Sequence, residues 1–238
     1  MTDLLPGTVA LVGSGEFLPP MAPVDRVLLE TLGEAPRVAI VPTASAPDGD
    51  AVFERWLRQG DEHFRGLGAV VDPIALKTRA DAENGELAER LSRANFIYLS
   101  GGKPPYLRDT LDGTVCWRAI VEVFNRGGVI AGCSAGAMVL GDTMLSFRLT
   151  RGAVPGLGLV PGIVVIPHFD EFPMNLASLL VHVPKSSILA GVEGMTALVG
   201  RAGQWSVAGH GGVTIADGTT RTRYTAGPIP SPSGRGLG

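Results

Sequence analysis

The sequence has little of what marks several large classes of protein. Only two cysteines, Cys116 and Cys133, occur among the 238 residues, so a secreted fold built on several disulfides is excluded. Cys116 falls in a predicted helix and Cys133 at the end of a predicted strand, which favours two reduced thiols and a cytoplasmic protein. The formal net charge is only −3, so the chain lacks the basic surface that nucleic-acid binding requires.

Long apolar runs are missing as well. No apolar stretch approaches the roughly 20 residues that a membrane-spanning helix needs, so no membrane partner is expected. Residues 1–7 lack the basic region and the apolar run of a signal peptide, and we therefore expect none. Hydrophobic residues nevertheless make up 45% of the chain, which is enough to predict a soluble protein with a substantial core.

Short, nearly continuous apolar runs alternate with helical patterns along the chain. Such runs are typical of strands that are covered on both faces of a parallel sheet. Their alternation with helices predicts an α/β fold with a mainly parallel sheet flanked by helices. Helices are predicted from about Asp50 to Phe64, at 86–93, from Thr114 to Phe124 and from Ala135 to Leu140. The predicted strands are 8–12, 37–42, 69–74, 95–100, 128–132, 162–166, 188–192, 197–199, 205–208 and 213–215.

The pattern changes after about residue 186, where short strands and turn residues replace helices. We interpret this part as a β-rich C-terminal segment at the sheet edge, within a single domain that spans residues 1–227. Residues 228–238 are rich in proline, glycine and serine, and they are predicted to form a disordered tail.

Ser134 stands in the run Gly132-Cys133-Ser134-Ala135-Gly136, between a predicted strand and a predicted helix. A nucleophile on a sharp strand-to-helix turn needs small residues two positions to either side, because the two chain segments approach closely there. A serine that merely caps the helix is the alternative, but the paired glycines and this context favour a nucleophile. Cys133 precedes the turn residue, and we interpret it as a small buried packing residue.

A serine nucleophile needs a base, and the chain has four histidines. His168 follows the predicted strand 162–166, so it lies at the carboxyl end of a strand, where the sites of α/β proteins collect. His168 is therefore the predicted base, and His210, in a glycine-rich turn, is the alternative. His63 is expected on a solvated helix face, and His182 near a helix end.

Three carboxylates are candidates for orienting the base, namely Asp170, Glu171 and Glu193. Glu193 is favoured because it ends a predicted strand and precedes a glycine. Asp170 stands two residues from His168 on an expected extended segment, where the two side chains need not meet. The predicted catalytic set is therefore Ser134, His168 and Glu193.

Paired glycines at a strand end allow the backbone to approach a ligand closely. The Gly102 backbone N–H, after Gly101, is predicted to form an oxyanion hole with that of Ala135, whereas a plain turn is the alternative. Glu16, after the first strand, either braces the site or meets a substrate amine, and a solvated or structural carboxylate is the alternative. Lys103 is a candidate for binding a substrate carboxylate.

The glycine-rich, serine and histidine segments described above, taken in chain order, resemble the dipeptidase E and cyanophycinase family of serine peptidases. The resemblance implies a class I glutamine amidotransferase-like fold, with Ser134 as nucleophile, His168 as base, a carboxylate near Glu193, and Gly102 and Ala135 as oxyanion donors. The segments that carry it are 13–16, 101–102, 131–137, 167–169 and 191–197.

Members of that family hydrolyse peptide or isopeptide bonds next to aspartate without a metal or organic cofactor. The resemblance thus implies a small peptide as substrate and no cofactor. Lys103-Pro104 departs from the usual Asn or Asp followed by Gln, and residues 169–183 contain no arginine where cyanophycinases carry several. The alternatives are another amide hydrolase or acyl transferase on the same fold, or an inactive binding or scaffold protein. A homodimer is left open as an assembly.

Overall fold

A computed structural model describes residues 6–145, 152–171, 183–217 and 220–229. The strands are β1 (Thr8–Val12), β2 (Arg37–Val41), β3 (Val70–Pro73), β4 (Phe96–Leu99), β5 (Val129–Cys133), β6 (Thr143–Leu145), β7 (Ala153–Pro155), β8 (Ile163–Ile166), β9 (Ile188–Val192), β10 (Thr196–Arg201), β11 (Gln204–Gly209), β12 (Val213–Ala216), β13 (Arg221–Tyr224) and β14 (Gly227–Ile229). The helices are α1 (Ala22–Glu30), α2 (Asp50–Gly66), α3 (Arg79–Ala82), α4 (Gly85–Arg93), α5 (Pro104–Leu111), α6 (Val115–Asn125) and α7 (Ala135–Leu140), with short 3-10 helices at Pro19–Met21 and Thr43–Asp48.

The main sheet has eight strands in the order β14-β11-β10-β1-β5-β4-β2-β3. The five neighbouring strands β1, β5, β4, β2 and β3 pair in parallel. Beyond β1, the sheet is extended by β10, β11 and β14, which pair in antiparallel fashion. A second sheet has the order β13-β12-β9-β8, and β6 pairs with β7. The predicted α/β fold with a large, mostly parallel sheet is confirmed.

Helices cover the main sheet on both faces, as alternate residues of β1 demonstrate. Val9 and Leu11 belong to a large core cluster with residues of α4 to α7, whereas Ala10 and Val12 belong to another with residues of α1 and α2. All four side chains are fully buried. Because successive side chains of a strand point to opposite faces, a continuous apolar strand is what this layering requires.

The C-terminal part differs from the prediction in two respects. Only β10, β11 and β14 lie at the edge of the main sheet, whereas β9, β12 and β13 form the second sheet with β8. The predicted tail also begins too early, because Pro228 and Ile229 belong to β14, which pairs with β11. Residues 230–238 of that tail lie outside the described residues.

Two helices that were not predicted have proline in their first turn. α1 starts at Ala22-Pro23 and α5 at Pro104-Pro105. Proline has no backbone N–H to donate, and the first turn of a helix has no use for one, so proline is well suited to a helix start. In the part of the chain that the structure describes, none of the helices combines the length and apolar character needed to cross a membrane.

Candidate active site

Ser134 lies at a sharp turn between β5 and α7, with φ 50° and ψ −109°. Positive φ is unfavourable for a residue with a side chain, and such strain is held in place only where the surroundings determine it fully. A Cβ on Gly132 would lie 2.5 Å from the Gly136 carbonyl carbon, and one on Gly136 would lie 2.2 Å from the Leu99 carbonyl oxygen. Glycine is thus required on both sides of Ser134, as predicted, because a side chain at either position would collide with neighbouring backbone atoms.

His168 follows β8 and brings its imidazole against Ser134. Its Nε2 lies 3.0 Å from Ser134 Oγ, and its Nδ1 lies 2.9 Å from Glu171 Oε1. An ionised carboxylate only accepts hydrogen bonds, so Nδ1 carries the proton in a neutral ring and Nε2 is left to accept from the serine hydroxyl. The structure therefore aligns hydroxyl, imidazole and carboxylate in one hydrogen-bonded row.

The carboxylate in this row is Glu171, and the prediction that Glu193 meets the histidine is wrong. The chain turns immediately after the strand: His168 has φ 52°, and the Glu171 N–H donates to the His168 carbonyl at 3.0 Å. This turn brings side chains three residues apart together, where an extended segment was expected. Asp170 instead accepts the Gly194 N–H at 2.7 Å.

Glu193 is held by other groups. Its two oxygens accept from Arg223 at 2.6 and 2.7 Å, and one of them also accepts the Gly212 N–H at 2.8 Å. The Arg223 hydrogen bonds hold the pKa of the Glu193 carboxyl below its usual range, with a smaller contribution from the Gly212 N–H. Glu193 therefore joins the turn after β9 to the residue before β12 and to β13.

Glu16 is a buried carboxylate that connects three parts of the site. It is 7% exposed. Its Oε1 accepts the Gly101 N–H at 2.9 Å, and its Oε2 accepts from Cys133 Sγ at 2.8 Å. Burial, and then the nearby Glu16 charge, raise the pKa of the Cys133 thiol, which keeps its proton on sulfur as the donor. Of the predicted roles of Glu16, these contacts favour bracing the site and exclude a solvated carboxylate.

The paired glycines lie directly beside the serine. A Cβ built on Gly101 would be 3.3 Å from Ser134 Cβ. Gly102 has φ 143°, and a Cβ there would lie 2.2 Å from the Ala44 carbonyl oxygen, so only glycine fits. Within the described residues, the Gly102 and Ala135 backbone N–H groups donate to no protein acceptor. Their joint use as an oxyanion hole stays a prediction.

The remaining sequence candidates lie apart from this row. Lys103 Nζ pairs with Asp48 Oδ1 at 3.0 Å, and its side chain is 59% exposed, so its role toward a substrate carboxylate stays a prediction. His210 is exposed in the turn between β11 and β12, and the structure places His168, not His210, against Ser134. His182 lies outside the described residues.

His63 was expected on a solvated face, and that expectation is wrong. Its side chain is 8% exposed and its Nε2 lies 2.8 Å from Oδ2 of Asp25, whose side chain is fully buried. The histidine is covered because α1, which was not predicted, brings Asp25 onto α2. Burial raises the pKa of Asp25, and the contact with His63 opposes that rise.

Ser134 stands at the carboxyl end of β5 in the main sheet, and His168 and Glu171 follow β8 of the second sheet. A serine, a histidine and a carboxylate joined by hydrogen bonds in this order are the arrangement of a serine hydrolase. The model of peptidase family S51 matches residues 9–207, and the chain belongs to that family. This result confirms the resemblance drawn from the sequence.

Known relatives agree with this assignment. A cyanophycinase of Synechococcus elongatus is 30% identical over 194 residues, which is 76% of this chain and 58% of that protein. The match thus spans less than two thirds of the cyanophycinase. The crystal structure of a peptidase from an acI-B1 actinobacterium is 38% identical, with a TM-score of 0.87 over 96% of this chain and 98% of the other. A putative peptidase E protein from Listeria monocytogenes, 19% identical, shares the fold with a TM-score of 0.63 over 86% of this chain and 98% of its own.

Proposed function

We propose that the protein is a serine peptidase that hydrolyses small peptides through an acyl-enzyme. The observation that carries the proposal is the contact of His168 Nε2 with Ser134 Oγ at 3.0 Å, with Glu171 at 2.9 Å on the other ring nitrogen. A free serine hydroxyl is a weak nucleophile, and this row supplies the base and the group that orients it.

In the proposed reaction, Ser134 Oγ attacks the scissile carbonyl while its proton passes to His168 Nε2. The negative charge on the carbonyl oxygen is stabilised by the Gly102 and Ala135 N–H groups, the latter at the start of a helix. The imidazolium gives its proton to the departing amine as the C–N bond breaks. Water, deprotonated by the same imidazole, then releases the acyl group and regenerates the serine.

Aspartate-containing peptides are the substrates we propose to test first, because the family resemblance implies them. Lys103 is proposed to attract a substrate carboxylate. Its exposed ion pair with Asp48 is of a kind worth about 1 kcal/mol or less, so a substrate can displace it. We further propose a cytoplasmic protein, on the strength of two free, buried cysteines.

A fluorophosphonate probe followed by intact-mass measurement tests the chemistry. We expect one adduct on the wild-type protein, none on Ser134→Ala and a much slower reaction of His168→Ala. Ser92→Ala, outside the site, serves as the control and should react like wild type. Absence of labelling in correctly folded wild-type protein overturns the proposal. A labelled protein that cleaves no member of a peptide panel, including Asp-X dipeptides, is instead another amide hydrolase or an acyl transferase.

A further inference from the structure

A cavity of about 330 Å³ opens beside the loop that follows β1. One wall is formed by loop residues 15–18, and the other by Arg55, Trp56 and Gln59 of α2. Its volume lies at the lower end of the range for small-molecule sites, which suits a ligand the size of one amino-acid residue.

The cavity adjoins the candidate active site through this loop. Ser14, one residue before the wall, donates to Glu171 Oε1 at 3.3 Å. Glu16 lines the cavity, and its carboxylate accepts the N–H of Gly101, the residue that lies against Ser134. The cavity is thus connected to the nucleophile through Glu16 and Gly101.

The wall combines apolar surface with one cation, Arg55, and with the carboxylate of Glu16, whose two oxygens are engaged by the Gly101 N–H and by Cys133 Sγ. The Phe17 and Trp56 rings pack edge to face with centroids 6.2 Å apart, and Leu18 is 43% exposed. The Arg55 guanidinium lies 5.9 Å from the centre of the Trp56 ring. In the described ranges, no carboxylate pairs with Arg55. This surface fits a ligand that carries an apolar side chain and a carboxylate.

We propose that the cavity binds the C-terminal residue of a short peptide substrate, with the side chain on Phe17 and Trp56 and the α-carboxylate on Arg55. The inference rests on the proposed peptidase function. Because only the C-terminal residue of a peptide carries a free α-carboxylate, the cavity holds the part released as the amine product. It is thus a specificity site on the leaving-group side of the scissile bond.

Tryptophan fluorescence reports occupancy of this cavity independently of catalysis. The chain has three tryptophans. Trp117 and Trp205 are 8% and 4% exposed and belong to the core cluster on the other face of the sheet, so a ligand in the cavity changes chiefly the emission of Trp56. Ser134→Ala protein is titrated with N-acetyl-leucine and with N-acetyl-leucinamide, which differ only in the carboxylate. We expect saturable change with both, and about threefold to tenfold weaker binding of the amide.

Arg55→Met, which keeps an unbranched apolar side chain and removes the charge, locates the carboxylate. We expect it to reduce affinity for N-acetyl-leucine to that of the amide and to leave amide binding unchanged. Arg58→Met, an exposed arginine of the same helix outside the lining, should bind both ligands like its parent. Equal affinities for acid and amide, or no effect of Arg55→Met, overturn the proposal.

The outcome is separable from that of the proposed function. A wild-type protein labelled by the fluorophosphonate but showing no acid preference keeps the peptidase and loses the subsite. Acid-selective binding by a protein that is not labelled leaves the cavity as a binding site and overturns its assignment to a leaving group.

Discussion

Glu16 accepts the backbone N–H of Gly101 at 2.9 Å, so a carboxylate from the loop after β1 fixes the loop after β4. The same carboxylate accepts from Cys133, the residue before Ser134. With the Gly101 amide engaged, the next amide of that loop, that of Gly102, donates to no protein acceptor in the described residues. The geometry makes Glu16 a positioning residue, because its contacts reach the loop and the turn rather than the reacting atoms.

We predict that Glu16→Ala lowers kcat about tenfold to hundredfold with less effect on KM, because displacing an oxyanion donor weakens transition-state binding. Glu16→Gln retains an acceptor for the Gly101 N–H and should restore most of the loss. Steady-state kinetics on a cleaved peptide measure both variants, with unfolding in urea as the check on stability. Equal losses in the two variants would show that charge, rather than the hydrogen bond to Gly101, is what matters.

Two glutamates, Glu171 and Glu193, follow His168 in the chain. Of these two, Glu171 is the one that contacts the histidine. We predict that Glu171→Gln slows fluorophosphonate labelling by about a hundredfold or more, since an amide no longer favours the required ring tautomer or stabilises the imidazolium. Glu193→Gln is the matched control, because its contacts are with Arg223 and Gly212. It should be labelled at the wild-type rate. The reverse result would return the orienting role to Glu193.

The parts predicted correctly from sequence depend on local signals. The buried strands are continuous apolar runs, and Ser134 is marked by glycines whose close contacts leave no room for a Cβ. His168 is marked by its place after an apolar strand. Each signal lies within a few residues of the feature that it predicts.

The parts that were missed depend on tertiary structure or on backbone angles that the sequence does not mark. The contact of Glu171 with His168 depends on a positive φ at the histidine, and no glycine at that position indicates a turn in the sequence. The burial of His63 requires α1 to pack against α2. Glu193 instead pairs with Arg223, which stands 30 residues further along the chain. Pro228 pairs at a sheet edge, where proline is tolerated although composition indicated a tail.

The cysteines provide a test of how tightly the serine turn is packed. Burial, and secondarily the charges of Glu83 and Asp81, raise the pKa of Cys116 to about 11, and burial raises that of Cys133 well above its ordinary value. At neutral pH both sulfurs therefore stay protonated, and the reactive thiolate is scarce. We predict that a disulfide reagent titrates no thiol quickly in the native protein and two after denaturation. Rapid modification of native Cys133, located by mass spectrometry, would show that the turn at Ser134 is not closely packed.

The Glu193 pair with Arg223 should make stability depend on pH in the acid range. The pKa of Glu193 is lowered chiefly by its hydrogen bonds with Arg223, so the folded state prefers the charged carboxyl. Such a group stabilises the fold above its ordinary pKa of about 4, and the contribution is lost as pH falls through the lower folded value. We predict that the free energy of unfolding of wild type exceeds that of Glu193→Gln near neutral pH, and that the difference shrinks towards zero as pH falls below about 4.

Urea denaturation across that range measures this difference in the free energy of unfolding. Glu89→Gln is the control, because the exposed pair of Glu89 with Arg93 should contribute little at any pH. A difference that stays constant with pH would mean that the variant acts through packing and not through the charge of Glu193.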